Sequence, residues 1–91
     1  TKLTLDNAQV SGNTVAGGGV GGNPSIGGGI FAGGGGLYAV SITNGSVLAD
    51  NAAVSTNGRI AWGGGIYGGF ANGTGSITIT DSTVRGNRAV V

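Results

Sequence analysis

The sequence predicts an all-β fold built as a parallel β-solenoid of about two and a half coils of ~37 residues, and three observations carry that prediction. The first is a repeat. Leu3-Thr4-Leu5-Asp6-Asn7 returns as Val40-Ser41-Ile42-Thr43-Asn44 and again as Ile77-Thr78-Ile79-Thr80-Asp81, 37 residues further on each time. The second is the period within the repeat, where apolar and polar side chains alternate as in a half-buried strand. The third is glycine, 23 of 91 residues against a usual share of roughly 7%. Its Gly-Gly-Gly runs break helices and suit sharp corners.

Each part of the repeat has an expected place. Leu3 and Leu5, Val40 and Ile42, and Ile77 and Ile79 form the inward face of one strand column. At the same 37-residue spacing Val10, Val47 and Val84 form a second apolar column. Gly27-Gly28-Gly29-Ile30-Phe31 recurs as Gly63-Gly64-Gly65-Ile66-Tyr67 at a spacing of 36, which adds Ile30 and Ile66 to the core and places a one-residue slip in a loop. Asn13, Asp50 and Asn87 share a phase and are expected to stack at one corner, bonded to backbone. The stretches 16–26 and 52–61 read as loops bulging from a corner. The chain divides into repeat 1 (1–36), repeat 2 (37–73) and a partial repeat 3 (74–91), a single segment expected to belong to a longer array or to a stacking protomer.

Composition excludes more than it identifies. Four basic and three acidic residues leave a net charge of +1, without the Lys/Arg cluster a nucleic-acid partner requires. The chain has no cysteine and no histidine, so disulfides, thiolate metal sites and the commonest acid–base side chain are absent. Glycine follows no three-residue register, which excludes collagen. No apolar run reaches the ~18 residues of a membrane span. No metal and no cofactor are expected. Gly-Gly-Gly-Ile is no phosphate loop, since no Lys-Ser/Thr follows, and a calcium site would need convergent carboxylates.

The pairs Gly28-Gly29-Ile30 and Gly64-Gly65-Ile66, with Val10-Ser11-Gly12-Asn13 and Val84-Arg85-Gly86-Asn87, resemble the repeats of right-handed parallel β-helix proteins of bacterial surfaces. Those include the polymorphic outer-membrane-protein family with its GGA(I/L/V) and FxxN motifs, and the looser repeats of large secreted, autotransporter-passenger-like proteins. Valine stands for phenylalanine here, glycine for alanine, and Asp50 for one asparagine. The resemblance implies a right-handed β-helix and an extracellular or cell-surface location of bacterial type. It is weak for function, because such repeats serve as adhesins, stalks and glycan-acting enzymes alike.

The expected function is therefore a non-catalytic structural or adhesive segment that self-associates through its open coil edges or continues into flanking coils of the same chain. Two alternatives rest on outward residues. Thr4, Ser41 and Thr78 line one exposed column and Asp6, Thr43 and Thr80 the next, an array that raises ice binding, although only Thr78 and Thr80 give a rung of two threonines. Phe31 and Tyr67 are expected to stack beside Trp62, either packed between coils or, facing outward, able to take a surface glycan. A glycan-cleaving reading needs paired carboxylates, and Asp6 and Asp81 lie two strand steps apart, about 9–10 Å at ~4.8 Å per step, near the inverting range of roughly 6.5–9.5 Å. Asn44-Gly45-Ser46 and Asn72-Gly73-Thr74 match the glycosylation pattern.

Overall fold

The computed structural model describes residues 2–17, 25–33, 36–56, 60–70 and 74–91. Repeat 1 holds β1 (Lys2–Asp6), β2 (Gln9–Ser11), β3 (Thr14–Gly17), β4 (Ser25–Ile26) and β5 (Ile30–Gly33). Repeat 2 holds β6 (Leu37–Thr43), β7 (Val47–Ala49), β8 (Ala52–Ser55), β9 (Ala61–Trp62) and β10 (Ile66–Phe70). Repeat 3 contributes β11 (Thr74–Ile79), β12 (Thr83–Arg85) and β13 (Arg88–Val90). Among the described residues there is no helix, as the period-two pattern and the glycine runs require.

Every strand pairs in parallel with the strand five places along the chain. The sheets are β1-β6-β11, β2-β7-β12, β3-β8-β13, β4-β9 and β5-β10. They are short, two or three strands wide, and do not close on one another. Three strands at ~4.8 Å spacing span about 10 Å, which matches the shortest dimension of a 41 × 28 × 11 Å body. Leu3, Val40 and Ile77 lie side by side, as do Leu5, Ile42 and Ile79. The core gathers Ile30, Ala32, Val40, Ile42 and Leu48, with Leu5, Val10, Tyr38 and Ile66 packed against it.

Left-handed residues mark the changes of direction. Asn7, Asn44 and Asp81 have φ of 51°, 59° and 49° between the first and second strands of each repeat. Gly12, Asp50 and Gly86 have φ of 69°, 58° and 64° between the second and third. These are glycine, asparagine and aspartate, the residues that tolerate this region. At Gly64 the demand is for space instead, because a Cβ there would overlap the backbone of Arg88.

Three expectations are corrected here. Val47 does not continue the column of Val10 and Val84. Leu48 does, since Val10 and Val84 both sit opposite Leu48, whereas Val47 faces Gln9 and Thr83. The cause is one extra residue in repeat 2. Asn44 keeps the phase of Asn7, but Gly45 (φ 80°) follows it and pushes everything after it one place along. Ser46 repairs the corner: fully buried, its hydroxyl donates to the Thr43 carbonyl at 2.7 Å and accepts from Ala8 N–H at 3.1 Å. The count returns to register through a shorter link between β8 and β9 and a bulge between Gly68 and Phe70. Secondly, 16–26 and 52–61 are not continuous loops, because β3, β4, β8 and β9 occupy much of them; residues 18–24 and 57–59 lie outside the described ones. Thirdly, Asp50 is not the middle rung of the asparagine stack.

Candidate functional site

The stack is Asn13, Asn51 and Asn87. Asn13 donates its backbone N–H and its Nδ2 to Asn51 Oδ1, both at 3.0 Å. Asn51 repeats the pattern, donating N–H at 3.0 Å and Nδ2 at 2.9 Å to Asn87 Oδ1. The other Nδ2 hydrogens run to carbonyls, from Asn51 to Val10 at 3.1 Å and from Asn87 to Leu48 at 2.9 Å. Asn51 is fully buried and satisfied on every side, the condition under which a buried amide stabilises. Asp50 instead takes the left-handed corner position and points to solvent, 3.6 Å from Arg85 Nη1. A signal for this was present: Gly12-Asn13, Asp50-Asn51 and Gly86-Asn87 are matching pairs of a turn-tolerant residue followed by asparagine. A strict 37-residue period hid it.

The outward column of the β1-β6-β11 sheet holds Thr4, Ser41 and Thr78 in direct register. Asp6 faces Thr43. The Thr43 hydroxyl is turned to the chain, donating to the Leu5 carbonyl at 3.2 Å, so the second column is not a free grid of hydroxyls. Thr80 follows β11 and donates its N–H to the Ile42 carbonyl.

Phe31 and Tyr67 face each other across β5 and β10, with ring centroids 6.1 Å apart and planes 12° from parallel. Trp62 lies on the other side of the glycine turn, 5.7 Å from Tyr67 and inclined by 10°. Phe31 is 46% exposed, Trp62 37%, and Tyr67 is partly buried. The three rings therefore form a surface stack rather than packing buried between repeats. The reason is geometric: Ile30 and Ile66 take the inward positions of β5 and β10, and the next residue on a strand points the other way.

The acids do not converge. Asp6 accepts from Asn44 Nδ2 at 2.8 Å, Asp50 pairs with Arg85, and Asp81 occupies the corner column of Asn7 and Asn44 rather than the column of Asp6. Among the described residues no three of His, Cys, Asp and Glu group closely enough to hold a metal ion. Asn44 is exposed, whereas the Ser46 hydroxyl of the same glycosylation pattern is buried and bonded; Asn72 lies outside the described residues. No helix among the described residues is long and apolar enough to cross a membrane. Comparison with family models, characterised proteins and solved structures finds no match to this chain.

Proposed function

We propose that this chain is a non-catalytic structural segment of a secreted or cell-surface protein, a right-handed parallel β-solenoid that extends or self-associates by adding repeats at its ends. One observation carries the reading: each strand pairs in parallel with the strand five places on, so that successive repeats lie strand over strand, with differences in length taken up in the turns and one bulge. A repeat buries its apolar face only against a neighbour. The third repeat leaves that face in water, since Ile77, Ile79 and Val84 are exposed while their partners in repeat 2 are buried. Its backbone edges are equally open and templated for another strand. The absence of His and Glu and the dispersal of the three aspartates support a role without catalysis. Light scattering against concentration tests the reading. Mass that grows with concentration, with a ~4.8 Å reflection along the fibre axis, is expected, and a folded, strictly monomeric species at millimolar concentration overturns it.

A second reading is favoured by the aromatic stack. Near-parallel rings, of which Phe31 and Trp62 are exposed, offer apolar faces to the C–H side of a sugar ring, and a surface glycan is the partner they suit. Trp62 is the single tryptophan, so its fluorescence reports directly on that contact. Titration with neutral polysaccharides is expected to quench or shift the emission, and an unchanged spectrum across a panel removes this reading without touching the first.

A further inference from the structure

The asparagine ladder has a direction. Each rung sends its N–H and one Nδ2 hydrogen forward to the Oδ1 of the next repeat: Asn13 to Asn51, then Asn51 to Asn87. The second Nδ2 hydrogen runs back to a carbonyl of the preceding repeat, Val10 for Asn51 and Leu48 for Asn87. The two ends of the ladder are therefore chemically different. At the repeat 1 end, Asn13 Oδ1 receives no hydrogen bond from any described residue. At the repeat 3 end, the Asn87 N–H and its forward Nδ2 hydrogen find no acceptor among the described residues. The repeat 1 end thus presents an unfilled Oδ1 acceptor beside the one Nδ2 hydrogen that runs back to no described carbonyl, and the repeat 3 end an unfilled pair of forward donors.

Resting on the self-association reading above, we propose that a second copy of this chain docks head to tail, with its Asn13 Oδ1 accepting from Asn87 of the first. The same movement continues all three three-stranded sheets, β11 beside β1 of the second copy, β12 beside β2 and β13 beside β3, in the parallel sense already present between repeats. It also lays Leu3 and Val10 of the second copy over Ile77, Ile79 and Val84. Like ends do not fit. Two repeat 3 ends set donors against donors, and a two-fold axis between them reverses the strand direction. The contact is thus heterologous and does not close, so it yields a filament rather than a dimer.

The chain has no cysteine, which makes a directional cross-link readable. Gln9 and Thr83 are exposed and lie in one column, each opposite Val47. In a head-to-tail contact Thr83 of one copy adjoins Gln9 of the next, within reach of a disulfide. Under mild oxidation, a mixture of Gln9→Cys and Thr83→Cys is expected to give at least about tenfold more linked dimer than either variant alone. Asn13→Ala is then added to each. Combined with Gln9→Cys it is expected to weaken linkage to Thr83→Cys roughly tenfold, the effect of about two lost hydrogen bonds. Combined with Thr83→Cys it is expected to leave linkage to Gln9→Cys unchanged, which separates a lost contact from a misfolded chain. Like-with-like cross-links as abundant as mixed ones overturn the polarity while self-association stands. Equal loss in both Asn13→Ala combinations overturns the role of the ladder. No association by light scattering and no cross-link overturn both the self-association reading and this one.

Discussion

The second and third repeats carry nearly the same apolar residues and bury them very differently. Ile42 and Leu48 are fully buried, whereas their register partners Ile79 and Val84 are each 45% exposed. Side-chain type and strand position are shared, so the difference comes from neighbours: repeat 2 has a repeat on both sides and repeat 3 on one. Core formation in this chain belongs to the contact between repeats, not to any repeat alone. That places stability in the middle and association at the ends.

Truncation of the matched isoleucines is expected to separate the two repeats most. Ile42→Ala is expected to cost about 2–5 kcal/mol through lost burial and a cavity. Ile79→Ala is expected to cost about 1 kcal/mol, because half its surface is already in water. Urea denaturation of both variants, below the concentration of association, measures the difference. Equal costs would mean that repeat 3 is covered in the isolated chain.

The amides offer the same test with polar groups. Asn51→Ala removes the acceptor of two bonds and the donor of two more, leaving unpaired groups in the repeats on both sides, at a cost of about 3 kcal/mol. Asn87→Ala deprives groups on one side only, Asn51 of its acceptor and the Leu48 carbonyl of its donor, and about 2 kcal/mol is expected. Thermal melts of the two variants measure the difference. A cost for Asn87 matching that of Asn51 would show that its outer face is also in use.

Removal of Gly45 makes the corner of repeat 2 the length of its counterparts in repeats 1 and 3. It loses one backbone bond, from Gly45 N–H to the Asp81 carbonyl at 2.8 Å, and should cost only about 1 kcal/mol. Removal of Ser41 instead flips the rest of β6 to the wrong face and is expected to abolish the cooperative transition. Circular dichroism on heating distinguishes the two deletions.

Asp50→Asn is the smallest effect, within about 0.5 kcal/mol. The ion pair to Arg85 is surface-exposed, and asparagine accepts the φ of 58° at that corner. Stability should also be insensitive to added salt. A marked salt dependence would show that the pair is held more tightly than its exposure allows.

Much of the fold was legible because its causes are local or periodic. Alternation in Val40–Thr43 specifies which side chains of β6 turn inward, and recurrence 37 residues away in both directions specifies what lies beside them. The outward column of Thr4, Ser41 and Thr78 follows from the same two facts. The rung residue was not legible from the period. Asp50 and Asn51 are adjacent, both chemically able to cap a turn, and a single inserted glycine decides between them. The aromatic stack was half legible: the match of Phe31 with Tyr67 follows from the glycine block, but its exposure depends on Ile30 and Ile66 taking the interior.

By itself, then, the amino-acid sequence determined the all-β character, the repeat, the strand faces and the residue types able to turn corners. Each follows from side-chain alternation and from steric limits on φ, which act over a few residues. Tertiary structure alone decided where the extra residue of repeat 2 is absorbed, that Asn51 bridges Asn13 to Asn87, and that Phe31, Tyr67 and Trp62 meet at the surface. An inserted residue can be absorbed at any turn at similar local cost. Only the side chains of the repeats above and below, through the hydrogen bonds they can or cannot complete, select one turn over another.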